Sequence, residues 1–353
     1  MHGIAWYGFG NPDLAMVEGL QSNGDSEDFA TVVFRMKALG FNTIKLPFSF
    51  TTLNAGSKRP FYDGCNLASR DTLRNGLTEG GKGNPSSNRE IFDQTSWQNN
   101  YVSFFGKLIS TYPSVVGKLV IDIANEVDGY GIRWEASSVK PGLQDIYLNL
   151  LPRLFAISKG VPFMIQGAGQ ANLVNWGDGF VTEPATIAQY HLSDANPFFT
   201  ALMRTAYVNQ VVLGPHVYGP SVTMVTTRIS GADLWNRMTV SFGSKTTAGF
   251  CSGGTCKQFP VVLGEYGTSF KNDLDLRLHT DLVAYMHNQG AAAGGHTNIN
   301  GWIFWAWNPS SSDTGGLVAS NWLDIQWNKV DKLVGSDPSA PDGMNLKPWF
   351  YGP

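Results

Sequence analysis

The chain has 353 residues, of which 42% are hydrophobic and only 15% are charged, and its formal net charge is −3. This balance excludes an intrinsically disordered chain, and the length suits one α/β barrel with long loops. The weak negative charge removes the usual electrostatic reason to expect a nucleic acid or an anionic membrane as partner, and it favours a neutral partner such as a glycan.

Strand and helix patterns alternate near the start of the chain. Residues 4–9 form an apolar run that a Gly-Asn-Pro sequence ends. Apolar residues at helical spacing cover 29–39, Gly40 supplies a stop, and 42–48 is predicted as the next strand. A strand, a helix and a strand in this order are typical of a βαβ unit, the building block of parallel sheets.

The segment 51–96 breaks this alternation. It contains six glycines and has no run of four apolar residues. We therefore predict that the segment is mostly irregular, and that any strand in it is short and interrupted by glycine.

The alternation resumes after residue 96. Predicted helices cover 97–109, 146–157 and 274–286, and predicted strands cover 119–126, 161–165, 211–218, 259–265 and 301–307. The total of seven strands in alternation with helices is close to what a (β/α)8 barrel requires. We predict a single domain over residues 1–353 with an α/β fold, a (β/α)8 TIM barrel whose third strand, from 51–96, is atypical or missing. The tail from 335 to 353 is predicted to wrap over the surface.

Two of the predicted strands end in a carboxylate. One apolar run leads into Asn125 and Glu126, another leads into Glu265, and a glycine-containing segment follows each of them. Because parallel strands of a barrel open at their C-terminal ends onto one crevice, Glu126 and Glu265 could face each other. Two such carboxylates can cleave a glycosidic bond, one as general acid and the other as nucleophile or as activator of water. Either Glu alone could instead cap a helix or pair with a cation, but the pair favours chemistry.

The chain has three cysteines, Cys65, Cys251 and Cys256. Cys251 and Cys256 bracket a four-residue loop, which fits a local disulfide and an oxidising compartment. Metal ligation is the weaker interpretation, because no second Cys pair or spaced His pair accompanies them. No apolar stretch approaches the roughly 20 residues of a membrane span. The first residues lack the features of a signal peptide, so secretion would need a leader outside these residues.

Six short motifs occur in order along the chain. They are GIAWYGF at 3–9, LGFNTIKLPFS at 39–49, NE at 125–126, HVY at 216–218, LGEYG at 263–267 and WIFWAWNP at 302–309. Together they resemble glycoside hydrolase family 5, the retaining (β/α)8 enzymes that include many cellulases. The resemblance covers nearly the whole chain apart from 51–96.

The resemblance implies a role for each motif residue. Glu126 would be the acid/base, with His216 supporting it, although a lone histidine is more often structural. Glu265 would be the nucleophile, with Tyr218 in contact with it. Asn125 would bind the 2-hydroxyl of the sugar, where a hydrogen bond strengthens in the transition state.

Three further residues are candidates for substrate binding. Trp305 would form the floor under the sugar at the cleavage point, because an aromatic face suits the apolar face of a pyranose ring. Trp6 is a second aromatic candidate. Lys45 stands where the family typically has an arginine that hydrogen-bonds the nucleophile, and it keeps the charge but loses the fork of donors.

Two other features depart from the family pattern. Val127 stands where a proline usually follows the acid/base, and 51–96 offers no counterpart of the third strand and its histidine. From the second departure and from Lys45 we expect catalysis weaker than is usual in the family.

The sequence therefore predicts a secreted, monomeric retaining glycosidase that uses no metal or other cofactor and cleaves β-1,4-glucan as polysaccharide or oligosaccharide. The 302–316 stretch, which looks cellulase-like, favours glucan over mannan. The alternatives are a related β-mannanase or other β-glycanase, and a glycan-binding barrel with weak or no catalysis. A different barrel hydrolase would need a metal or nucleophile constellation that the sequence does not show.

Overall fold

The computed structural model describes residues 1–8, 18–20, 28–47, 95–138, 140–168, 174, 176–227, 231–335 and 342–349. The strands in these ranges are β1 (His2–Ala5), β2 (Thr43–Lys45), β3 (Ile121–Asp122), β4 (Phe163–Ile165), β5 (Val211–Leu213), β6 (His216–Tyr218), β7 (Phe250–Ser252), β8 (Thr255–Lys257), β9 (Leu263–Gly267) and β10 (Trp302–Phe304). The α-helices are α1 (Phe29–Ala38), α2 (Thr95–Thr111), α3 (Leu143–Ile157), α4 (Pro184–Tyr190), α5 (Asn196–Leu202), α6 (Pro220–Thr223), α7 (Gly231–Ser241), α8 (Asp273–Met286) and α9 (Trp327–Val334).

The parallel strands form two sheets, in the orders β2-β1-β10-β9-β6 and β3-β4-β5. The chain passes from β5 into β6 across Gly214 and Pro215, so the predicted strand 211–218 is one run with a break. At this break Leu213 pairs with Val261, just before β9, which connects the two sheets. The first strand pairs with the last, and the described residues show no pairing between β2 and β3. An α/β fold with parallel strands and helices is thus confirmed. The prediction for 51–94 lies outside the described residues.

Local sequence signals explain the helices that were predicted. The Asp28 side chain accepts a hydrogen bond of 2.8 Å from the Thr31 N–H and begins α1, and Asn272 caps α8 in the same way. Gly40 follows α1 at a φ of 96°, a conformation that favours glycine. Helix α3 runs through Pro152, as predicted, and buries one apolar face.

Several elements differ from the predicted ones. Strand β3 has two residues where the sequence predicted a strand over 119–126. The chain leaves the strand after Asp122, and at Glu126 it adopts a left-handed backbone that a 3-10 turn follows. The short helices α4 and α5 were not predicted, since seven residues give little periodic signal. The β7–β8 hairpin was not predicted either, although its disulfide between Cys251 and Cys256 is confirmed.

The core lies between the sheets and the surrounding helices. Trp302 and Trp307 are fully buried in it, and the Trp302 indole donates a hydrogen bond to the Met344 carbonyl. The described part of the tail, 342–349, is thus held to β10 through the Met344 carbonyl and to α9 through the Leu346 N–H, which donates to the Leu333 carbonyl at 3.0 Å. Within the described ranges, no helix has the length and apolar content needed to cross a membrane.

Candidate active site

Three titratable side chains come together in the structure. Glu126 follows β3, Glu265 lies in β9, and His216 starts β6 in register with Glu265. One carboxylate oxygen of each Glu and one ring nitrogen of His216 lie within 4.8 Å of one another. The structure thus brings together the two carboxylates that the sequence singled out, although they lie far apart in the chain.

Glu265 is surrounded by hydrogen-bond donors. The Lys45 ammonium lies 2.9 Å from its Oε1, and the Tyr218 hydroxyl donates a hydrogen bond to its Oε2. Burial alone would raise the pKa of Glu265, but Lys45, His216 and Tyr218 together outweigh burial and hold the pKa below its usual value. Glu265 is therefore kept ionised, which is the form that a nucleophile needs.

Lys45 is itself held by two carboxylates. Its Nζ lies 2.9 Å from Asp122 Oδ2 and 2.9 Å from Glu265 Oε1, and it donates to the Gly264 carbonyl at 3.3 Å. Burial lowers the pKa of Lys45, but the two carboxylates raise it by more, so the amine stays charged. Sequence reasoning missed Asp122. Its signal was a single acidic residue inside an otherwise apolar run.

Glu126 has a more open environment than Glu265. Its side chain is 24% exposed, compared with 6% for Glu265. Its Oε1 lies 2.9 Å from His216 Nδ1, and its backbone N–H donates to Gln166 Oε1 at 2.7 Å. His216 Nε2 is buried without a partner in the described part of the chain. We therefore place the ring hydrogen on Nδ1, which donates to Glu126.

The polar residues expected to contact substrate are not equally accessible. His216 is fully buried and Tyr218 is 4% exposed, so in this structure both act on the carboxylates and offer little or no surface to a sugar. Asn125 is partly exposed beside Glu126, and its side chain makes no hydrogen bond to any described residue. Its amide is therefore available to a ligand.

The two aromatic candidates, Trp305 and Trp6, also differ in exposure to solvent. Trp305 is partly exposed and stacks on Tyr7, with ring centroids 5.2 Å apart and planes inclined by 11°. Trp6 is fully buried, stacks on Phe29 and donates its indole N–H to the Glu18 carbonyl. A side chain without exposed surface cannot touch a substrate, so the prediction that Trp6 binds substrate is corrected. Sequence alternation alone could not tell the core face of this strand from the cleft face.

The three central side chains also have the donor atoms of a metal site. Glu126, His216 and Glu265 could each offer one ligand atom. However, the Lys45 ammonium already lies 2.9 Å from Glu265 and supplies the positive charge that a cation would bring. The donor set therefore favours an ionised carboxylate with a protein counter-charge over a bound divalent cation.

The sequence of the chain is similar to those of endoglucanases. No protein-family model matches it. An endoglucanase of Paenibacillus polymyxa is 24% identical over 372 residues, which cover 94% of this chain and 81% of that protein. The major extracellular endoglucanase of Xanthomonas campestris pv. campestris is 29% identical over 127 residues, which are 35% of this chain. The matched part spans 23% of the length of that relative.

Solved structures of cellulases resemble the fold. The endocellulase of Pyrococcus horikoshii superposes with a TM-score of 0.62 at 18% identity, covering 93% of this chain and 90% of that chain. A complex of the same endocellulase with cellotetraose gives 0.64 at 19% identity. The catalytic domain of the Xanthomonas campestris endoglucanase gives 0.55 at 18% identity, with 93% and 92% covered. The likeness of this chain to cellulase-like glycoside hydrolases, which its motifs indicated, is thus confirmed in both sequence and fold.

Proposed function

We propose that the protein is an endo-β-1,4-glucanase that retains the anomeric configuration, with Glu126 as acid/base and Glu265 as nucleophile. The carrying observation is that oxygens of the two carboxylates lie within 4.8 Å of each other. Carboxyl groups of retaining glycosidases lie about 5 to 5.5 Å apart, whereas those of inverting ones lie roughly 6.5 to 9.5 Å apart to admit a water. The endoglucanase relatives support glucan as the substrate.

The reaction takes two steps in this proposal. In the first, a Glu265 oxygen bonds to the anomeric carbon while the glycosidic bond breaks and Glu126 gives its proton to the leaving oxygen. In the second, Glu126 takes a proton from water, the water oxygen bonds to the anomeric carbon, and the bond to Glu265 breaks. Both carboxyl groups return to their starting protonation states, and no cofactor takes part.

Neighbouring residues assist these steps. Lys45 and Tyr218 hold Glu265 ionised and oriented, and His216 orients Glu126 through the 2.9 Å contact. Asn125, next to Glu126 and without a hydrogen-bond partner among the described residues, would bind the 2-hydroxyl of the sugar. The partly exposed ring of Trp305 would lie under the sugar at the cleavage point.

We also propose that the strands close into a (β/α)8 TIM barrel whose third strand, from 51–96, is atypical or missing. The pairing of β1 with β10 and the cellulase folds support this. The protein would be one catalytic domain, monomeric and secreted. The disulfide and the extracellular relative support secretion, and the net charge of −3 argues against a nucleic-acid or membrane partner.

Reducing ends counted after incubation with carboxymethyl-cellulose, barley glucan and mannan test the activity. We expect release from the two glucans, first as the β-anomer by proton NMR, and none from a Glu265→Gln variant. Release from mannan alone would indicate a β-mannanase. Release from none of the three would favour a glycan-binding barrel and overturn the proposal.

A further inference from the structure

The backbone of Glu126 has an unusual conformation. Its φ is 48° and its ψ is 49°, in the left-handed region that residues with a Cβ rarely adopt. Such a conformation persists only where the surroundings hold it. Because the direction of the side chain depends on these angles, whatever holds the backbone also determines where the carboxylate points.

Gln166 supplies the side-chain contact to this backbone, whose carbonyl also accepts a hydrogen bond from the Gly129 N–H. The side chain follows β4, is fully buried, and accepts a hydrogen bond of 2.7 Å from the Glu126 N–H through Oε1. Tyr147 fixes the base of Gln166, since its hydroxyl donates to the Gln166 carbonyl at 2.8 Å and accepts from the Gln166 N–H at 3.1 Å. The backbone of Gln166 is therefore fixed in place while its side-chain oxygen accepts the hydrogen bond from Glu126.

Gly177 lies against the side-chain amide of Gln166. A Cβ added to Gly177 would lie 2.7 Å from Gln166 Oε1, so only glycine leaves room for the contact. The Gly177 N–H donates to the carboxylate of Asp128, 3.2 Å from each oxygen. The peptide chain is thus held at Glu126 by Gln166 and two residues later by Gly177.

We infer that Gln166 is a positioning residue that directs the carboxylate of Glu126 toward His216 and Glu265. The inference rests on the proposed function and deepens it. Gln166 acts through the backbone of Glu126 and touches no substrate. Without its acceptor, the partly buried Glu126 N–H would lose its protein partner, and the residue would relax toward an extended backbone that turns the carboxylate away.

The test compares kcat/KM on two aryl β-cellobiosides, one with an activated and one with a poor leaving group. For a retaining enzyme this parameter reports the step in which Glu126 donates its proton. Gln166→Met keeps the side-chain length and removes the acceptor. We expect it to slow the poor leaving group at least about tenfold more than the activated one, because only the poor one needs the acid. Gln166→Glu, which keeps an acceptor oxygen, should restore part of this difference.

Gln210→Leu is the matched control. Gln210 donates to the Val161 carbonyl at the opposite end of the same strand, far from Glu126 in the sheet. Its loss should change both substrates equally. If Gln166→Met does not fold, Gly177→Ala must produce the same split, because it displaces the Gln166 oxygen without removing it.

Equal losses on both substrates in Gln166→Met, or in Gly177→Ala where that variant replaces it, would overturn the inference while leaving the proposed function intact. An unchanged variant would do the same. A wild-type protein that hydrolyses neither substrate would instead overturn the proposed function, and the inference with it.

Discussion

The two glutamates of the site are the same residue in two different settings. Glu265 lies within a strand, is 6% exposed and has an ammonium 2.9 Å away. Glu126 lies just beyond a strand end, is 24% exposed and has one imidazole beside it. Regular strand backbone next to a cation favours a fixed, ionised nucleophile. A partly exposed carboxyl group beside an imidazole can reach the leaving oxygen and water, as the proposed acid/base must.

The largest expected effect is the loss of activity on substitution of Glu265. Glu265→Gln removes the proposed nucleophile, so kcat should fall at least about 10⁴-fold on every substrate. Hydrolysis of carboxymethyl-cellulose and of an activated aryl cellobioside would be measured side by side. A variant that kept the activated substrate alone would reverse the assignment of the two residues.

The next largest effect is expected on substitution of Glu126, the proposed acid/base. Glu126→Gln should lower kcat/KM on poor leaving groups by roughly 10² to 10⁴, and should leave activated aryl glycosides much less affected. The ratio of the two rates is the readout. Equal losses on both substrates would contradict the division of roles between Glu126 and Glu265.

A smaller effect is expected on substitution of Lys45, the cation that lies beside Glu265 and not beside Glu126. Lys45→Met removes the cation between Asp122 and Glu265, so the pKa of Glu265 should rise. Since Glu265 must be ionised, activity is lost as pH falls through its pKa, and the acid limb of the kcat/KM profile should move to higher pH. Asp122→Asn keeps the cation and is the matched control. An acid limb unmoved by Lys45→Met would show that Lys45 does not set the ionisation of Glu265.

The smallest expected effect is on folding stability, and measuring it distinguishes acid inactivation of the active site from acid unfolding of the protein. Burial lowers the pKa of His279, on α8, from 6.5 to about 4, so the folded state favours its neutral form. The contribution of His279 to the free energy of unfolding is fully present above the unfolded pKa of 6.5. It is lost as the pH drops through the folded pKa of about 4, by about 3 kcal/mol in total. Urea unfolding at several pH values would show this, and His279→Leu should flatten that dependence. A wild-type curve without this slope would contradict the assignment.

Much of the fold followed from local patterns in the sequence. Apolar runs located the strands, and apolar residues at helical spacing located α1 and α8, whose N-caps Asp28 and Asn272 the structure then revealed. The short helices could not be predicted, because they are set by tertiary packing of residues such as Phe198 and Phe199 and not by periodicity. The prediction that 51–96 is mostly irregular and offers no third-strand histidine concerns residues that, up to 94, lie outside the described ranges, and it stays a prediction.

The site was partly predictable for a similar reason. A carboxylate at the end of an apolar run is visible in one strand, so Glu126 and Glu265 could be found. The residues that act on them, Asp122 and Gln166, are single polar groups whose partners lie on other strands. Only the fold brings such partners together. Trp6 failed as a candidate because its burial depends on Phe29 and Glu18, which its own strand does not reveal.

The pairing of the first strand with the last has a consequence for synthesis of the protein on the ribosome. His2 pairs with Trp302, so one edge of β1 has no partner until residue 302 has been made. At about 5 to 20 residues per second, the 300 residues between these partners take roughly 15 to 60 s to appear. During that time the nascent chain presents an open strand edge, the kind of surface that chaperones and neighbouring nascent chains can bind.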